Sequence, residues 1–203
     1  MRTTLEEMVE PAKTALLVLD VQNDFCQDEP RRQMIPRVAS VLEAARHAGV
    51  TVVYVQNTVL PGGLSDSSAD LARRARIGLR TSATLDGTDG HRFVPEVAPL
   101  DGDLVVRKHR ASAFNGTTLD TILRSAGIET VVLVGTATQG SVINTAYGGI
   151  GLNYYVVVVR DAVSSWRDDL HQAAMLLMEN AVNEMTDVAT LATAWTEAPA
   201  AAA

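Results

Sequence analysis

The chain has a single cysteine, Cys26, among its 203 residues. One cysteine forms no internal disulfide and no cysteine-rich zinc site, so neither a stapled secreted scaffold nor a zinc ribbon fits. Aromatic residues are scarce at 4% while hydrophobic residues reach 47%, so the core must be built from Val, Leu, Ile and Ala. An aliphatic core of that kind suits a parallel sheet covered by helices. No apolar run is long enough to span a membrane. The opening MRTTLEEMVEPAK is too polar for a secretory leader, so a soluble, cytoplasmic protein is expected. The formal net charge of −7 and the lack of a basic stripe speak against nucleic acid as a partner. Neither a repeat nor a linker divides the chain. Residues 1–203 read as one domain with a full core, the first dozen or so residues and the Ala-rich tail being peripheral.

What is present is an alternation of apolar runs and helical spacings. Strands are expected over 14–21, 51–56, 103–107, 130–134, 154–159 and, weakly, 184–187. Helices are expected over 37–48, 67–76, 118–126, 139–150, 168–183 and 188–195, followed by a frayed Ala-Pro-Ala tail. The alternation predicts a single-domain three-layer α/β/α sandwich on a mainly parallel, six-stranded, Rossmann-like sheet. Residues 57–99 form a long excursion with Gly62, Gly63, Gly87 and Gly90, the kind of segment that makes lids or pocket walls.

One stretch stands out, VVLVGTATQGSVINTA at 131–146. A buried strand runs into a tight turn and then a helix start, where backbone N–H groups suit an anion or a developing oxyanion. Ser141 falls in the first turn of that helix. In such sheets ligands bind beyond the carboxyl ends of the strands. Asp20, Lys108 and Ser141 all fall at that edge, each at the end of a different strand. An acid, a lysine and a nucleophile placed together form a plausible proton relay. Each also has a bland reading: Asp20 as a capping residue, Lys108 as a solvated member of the basic run 107–110, Ser141 as a first-turn serine.

VLDVQNDF at 18–25, RKHRASAFNGTTLDTILRSAGIETVVLVGTATQGSV at 107–142 and VVVVRDAV at 156–163 occur in order. Together they resemble the isochorismatase-like cysteine hydrolase superfamily, in its amidohydrolase branch of N-carbamoylsarcosine amidase type. The resemblance implies a catalytic set of Asp20, Lys108 and a cysteine position that falls on Ser141. It also implies a non-proline cis peptide at Thr136–Ala137 and an oxyanion hole made by the amides of Ala137 and Ser141. The activity it implies is hydrolysis of the C–N bond of a small linear amide or carbamoyl (ureido) compound, with release of ammonia and no cofactor. Family members commonly assemble as dimers or tetramers, so a homo-oligomer is expected. Met175, Leu176, Leu177 and Met178 add weak support, being too many to share one helix face.

Nicotinamidases of the superfamily carry an aspartate–histidine metal cluster after the second strand. Here the matching stretch is QNTVLPGGLSD, without histidine, and His47, His91, His109 and His171 are scattered, so no metal is expected. His47 and His171 read as helix-surface residues. Substrate-binding candidates are Gln22, Asn23, Phe25, His109, Phe114, Thr138 and Tyr147, with Trp166 as a further wall; core packing or capping is the alternative for each. Arg107 or Arg110 could read a carboxylate, though pairing with Asp103 or Asp161 is the simpler account. Cys26 reads as structural or pocket-lining.

The departure at 141 carries weight, because a hydroxyl is a far poorer nucleophile than a thiolate near neutral pH. The serine is read as a replacement that traps substrate, as natural in an enzyme needing no nucleophile, or as the mark of an inactive chain. The superfamily's isochorismatases, which hydrolyse a vinyl ether by acid catalysis, are the precedent for the second case. Three functions follow: an amidohydrolase in an inactive or trapped cysteine-to-serine form, vinyl-ether hydrolysis with Asp20 as acid, and a catalytically silent member.

Overall fold

The strands β1 (Thr14–Leu19), β2 (Thr51–Asn57), β3 (Leu104–Lys108), β4 (Thr130–Thr136), β5 (Tyr155–Ser164) and β6 (Glu184–Thr186) form one sheet. They come from a computed structural model that describes residues 1–78 and 83–197; the Ala-Pro-Ala tail lies outside the described residues. The strand order is β3-β2-β1-β4-β5-β6, and every neighbouring pair is parallel. The helices are α1 (Leu5–Met8), α2 (Glu29–Ala48), α3 (Ser68–Arg76), α4 (Leu119–Ser125), α5 (Ile143–Gly151), α6 (Asp168–Glu179) and α7 (Val188–Glu197).

Alternation along the strands divides the core in two. Leu16, Val18, Val132, Val134, Val157 and Val159 pack on one face with Val38, Leu42, Leu191 and Trp195 of α2 and α7. Their neighbours Leu17, Leu19, Val131, Leu133, Val156 and Val158 pack on the other with Leu119, Leu123, Ile143, Ala146, Ala174 and Met178 of α4, α5 and α6. Strands buried on both faces need the continuous aliphatic runs seen in the sequence. The expected three-layer α/β/α sandwich is the observed one. Its chain reverses direction of progress at β1, so β1 and β4 flank the switch point where sites form in such sheets.

Several boundaries differ from the expectation, each for a physical reason. Helix α2 begins at Glu29, not near 37, and runs through Pro36. Asp28 caps it by accepting from the Arg31 amide, and burial of Met34 and Ile35 offsets the hydrogen bond that Pro36 cannot make. Strand β5 continues past Val159 to Ser164. A register shift between Leu133 and Gly135 turns Arg160 and Asp161 outward and lets Ala162 and Val163 re-enter the core. Helix α6 stops at Glu179 because Asn183 is claimed by β5. Its side-chain oxygen accepts from the Val156 amide and its own amide donates to the Val156 carbonyl.

Half of the long excursion is bound down and does not form a loose flap. The Gln22 side chain donates to the carbonyls of Asn57 (3.0 Å) and His91 (2.7 Å) and accepts from the Asn57 amide (2.9 Å). Gln56 adds a bond to the same His91 carbonyl at 2.9 Å. Val94 and Asn23 complete the seam through backbone bonds to Val21 and Arg92.

Candidate active site

Asp20 follows the last residue of β1 with φ of 53°, a left-handed backbone that aspartate tolerates better than most side chains. Lys108 ends β3, and Ser141 lies in the turn after β4. The three side chains meet although β2 and β1 separate the lysine strand from the serine turn. Lys108 Nζ lies 2.8 Å from Asp20 Oδ2 and donates to Ser141 Oγ at 2.9 Å and to the Arg110 carbonyl at 3.1 Å. Ser141 Oγ donates in turn to Asp20 Oδ2 by a short hydrogen bond. Asp20 and Lys108 are 2% and 1% exposed, whereas Ser141 is 8% exposed and is the member of the set that solvent reaches most. Asp20 Oδ1 is buried with no hydrogen-bond partner among the described residues. A buried carboxyl oxygen is costly to leave unpaired, so Oδ1 is the atom of the set best placed to accept from a bound donor.

The serine turn is shaped by the strand that precedes it. Gly135 sits at φ of 115°, and a Cβ there would lie 2.1 Å from the Leu19 carbonyl oxygen, so no side chain fits between β4 and β1 at this point. The Thr136–Ala137 peptide is cis. Thr138–Val142 then form a wide π-helical turn in which the Val142 amide reaches back to the Ala137 carbonyl, before α5 begins at Ile143. The sequence reading started this helix near 139 as ordinary α-helix; the wider turn is what sets Ser141 against Asp20 and Lys108.

Over residues 14–190 the chain matches the family described as the Isochorismatase domain. The chain belongs to this family. It is 32% identical over 187 residues to the ureidoacrylate amidohydrolase RutB of Agrobacterium fabrum, covering 82% of each chain. Among solved structures, the N-carbamoylsarcosine amidase of Thermoplasma acidophilum superposes with a TM-score of 0.72 at 32% identity, over 87% of this chain and 96% of that one. A cysteine hydrolase of Pseudomonas syringae pv. phaseolicola gives a TM-score of 0.84 at 24% identity, over 95% and 96% of the two chains, which shows a shared fold.

Within this isochorismatase domain the other candidate residues separate clearly. Thr138 is fully buried three residues before Ser141 and shares a 2.8 Å hydrogen bond with His171 Nδ1. His171, expected on the helix surface, is instead half-buried and braces the turn from α6. His109 is close, but its Nδ1 donates to the Thr58 carbonyl at 2.7 Å. Gln22 is completely buried and spends its amide on the seam described above, so it holds the loop and does not face a ligand. Asn23 turns to the Asp89 carbonyl (2.9 Å), and Phe25 is half-buried in the same short turn. Phe114 stacks on Tyr154 with ring centroids 5.6 Å apart and packs into the core, which makes it a wall of the core. Tyr147 is 44% exposed on α5, and Trp166 lies under the Arg31 guanidinium at 5.5 Å. Gln139 was passed over in the sequence, yet both polar atoms of its side chain are buried without a partner among the described residues, two positions before Ser141. Asn57 donates to Thr84 Oγ1 at 2.7 Å. Among the described residues no three His, Cys, Asp or Glu side chains gather as a metal site.

Cys26 is 3% exposed, and burial pushes its thiol up to about 12. A thiol held that high is almost wholly protonated at neutral pH and is a poor nucleophile. The folded protein is therefore expected to resist a thiol-disulfide reagent for hours while the unfolded chain reacts with one equivalent. Reaction of the folded protein at the rate of free cysteine would contradict this placement.

Burial lowers both His91 and His171 below the ordinary 6.5, although Asp86 and Asp168 respectively oppose the shift. In the unfolded chain these imidazoles take up protons as pH falls through 6.5, while in the folded protein they stay neutral to lower pH. The unfolded state then binds more protons, so stability is complete above 6.5 and declines as pH falls below it. Melting temperature should drop between pH 7 and pH 5, before the ordinary carboxylate range is reached. The double variant His91→Asn, His171→Asn should flatten that slope, and calorimetry across the window checks it.

Proposed function

We propose that this chain is an amidohydrolase that cleaves the C–N bond of a small ureido (carbamoyl) compound and releases ammonia. The observation that carries the reading is the shared Asp20 Oδ2, which meets both Lys108 Nζ and Ser141 Oγ while Oδ1 stays without a partner among the described residues. Family membership and the names of two relatives, a ureidoacrylate amidohydrolase and an N-carbamoylsarcosine amidase, support the substrate class.

In this reading Ser141 Oγ attacks the ureido carbonyl carbon as its proton passes to Asp20 Oδ2. Lys108, donating to the serine, holds acid and nucleophile in one arrangement. The carbonyl oxygen gathers charge and is held by the amides of Ala137 and Ser141, a donor set of which each member is typically worth about 10²–10³ in rate. The tetrahedral centre collapses, the C–N bond breaks, and Asp20 returns the proton to the leaving nitrogen, so ammonia departs. Water then loses a proton to Asp20 and attacks the carbamoyl ester; the O–C bond to Ser141 breaks and the serine recovers its proton. Asp20 Oδ1 is suited to accept from the departing NH₂ group. Ser141 donates to Asp20 from inside the hydrogen-bond set, which favours this nucleophilic reading over protonation of a vinyl ether, in which residue 141 has no task.

A hydroxyl makes the first step slow, so the chain as it stands binds substrate and turns it over poorly. A thiol at position 141, with ammonia as the readout, tests the proposal. Assembly as a homo-oligomer in the cytoplasm belongs to the same reading. Leu176 and Leu177 on α6 are exposed and support it, while Met178 is buried in the core. Among the described residues no helix is long and apolar enough to cross a membrane.

A further inference from the structure

We infer that His171 is a positioning residue, a role that rests on the amidohydrolase reading above: acting through Thr138, its ring holds the turn that sets Ser141 against Asp20 and Lys108.

The turn is fixed at three places. Ser141 is bound to Asp20 and Lys108, the groups it has to work with. At the far end Val142 is fully buried in the core under α5. At the near end Thr138, also fully buried, shares its hydrogen bond with His171 Nδ1 at 2.8 Å. Little else steers the residues between. A Cβ on Gly140 would meet nothing closer than the Ala137 methyl at 3.8 Å, and the polar atoms of the Gln139 side chain have no partner among the described residues. The backbone bonds of the turn run back to its first residues. The Gly140 and Val142 amides donate to the Ala137 carbonyl at 2.9 and 3.2 Å, and the Ile143 amide reaches the Thr138 carbonyl. Fixing Thr138 therefore fixes the frame on which Ser141 hangs, together with the Ala137 and Ser141 amides proposed to hold the oxyanion.

Burial sets the direction of the bond. Thr138 Oγ1 is shut off from water and has no other hydrogen-bond partner among the described residues. If the imidazole donated, the hydroxyl proton would be buried and unsatisfied, so the hydroxyl donates and Nδ1 accepts. The ring proton then sits on Nε2. Burial keeps the ring in the neutral form that an acceptor requires, although Asp168 pulls the other way. An acceptor at the reach of Nδ1 is thus the property this place on α6 needs, which is more than a side chain that fills space supplies.

Variants in the Ser141→Cys background test this, with ammonia release from the most active of a panel of ureido compounds as the readout. His171→Leu should lower kcat about 10–100-fold at nearly constant KM, the loss expected when a reacting group drifts by up to about 1 Å. Thr138→Val should do the same, and the two together should cost no more than either alone, because they break one bond. His171→Asn should keep kcat within about threefold of the background, since its Oδ1 stands as many bonds from the backbone as Nδ1. His171→Gln, with its acceptor one bond further out, should fail like leucine. Full kcat in a folded His171→Leu, or equal losses in the Asn and Gln variants, overturns the inference and leaves the amidohydrolase reading standing. If Ser141→Cys releases no ammonia from any compound of the panel, that reading falls, and alkylation decides the inference separately. Iodoacetamide should then modify the thiol at 141 about three- to tenfold more slowly in His171→Leu than in His171→Asn, because a thiol drawn away from Lys108 ionises less. The serine chain is the blank for Cys26, and equal rates overturn the inference.

Discussion

Replacing Ser141 with cysteine is expected to raise ammonia release from a ureido compound by a factor on the order of 10³, at unchanged melting temperature. In the proposed reaction the hydroxyl stands where the attacking group belongs, donating to Asp20 and accepting from Lys108 at 2.9 Å. What it lacks is acidity. A sulfhydryl in the same place surrenders its proton to Asp20 far more readily and leaves a stronger nucleophile. A factor of 10³ corresponds to about 4 kcal/mol of barrier, a plausible difference for exchanging one atom at the reacting centre. The change should appear in kcat with little movement in KM, because the contacts that hold the substrate are not altered. A folded cysteine variant that releases no ammonia from any ureido compound would remove position 141 from the chemistry.

Loss of Lys108 is expected to have the largest effect on the molecule as a whole. The Lys108→Met variant should lose activity and also melt about 6–20 °C lower, because removing one partner of a buried ion pair costs about 3–5 kcal/mol. The cost arises because Asp20, at 2% exposure, loses the ammonium that its buried carboxyl meets at 2.8 Å. Asp20→Asn should fail in the mirror image, stranding the lysine. The double variant Asp20→Asn, Lys108→Met is the informative protein, since most of the lost stability should return while activity stays absent. Calorimetry of the four proteins reads the coupling directly. Parental melting of Lys108→Met would show that the pair is not buried as described.

The sheet was legible because its signal is local. Runs such as TALLVL and YVVVV are apolar at every position, and only a strand covered on both faces needs that. The positions of Asp20, Lys108 and Ser141 were legible for the same reason, each following the end of such a run. Their meeting was expected from the shared sheet edge and from the family resemblance, but how it is reached depends on strand order, which the sequence does not display: β3 lies two places from β1, and the length of a lysine side chain closes the gap. The extent of α2 was hidden by Pro36, a local rule overridden by the burial of Ile35 and Val38 on either side. Gln22, chosen as a substrate contact because it follows Asp20, shows the opposite error. Its neighbours in space, Asn57 and His91, are distant in sequence and take both of its amide hydrogens and a bond to its oxygen. His171 was missed because nothing in a helical pattern reveals that its ring will reach Thr138 on another element.

The seam around Gln22 bears on traffic through the molecule. Residues 91–94 are riveted to the β1 end by buried side-chain and backbone bonds, and peeling them away would break several at once. In the proposed reaction this flank is expected to keep its place through turnover, as a brace under the β1 end that carries Asp20.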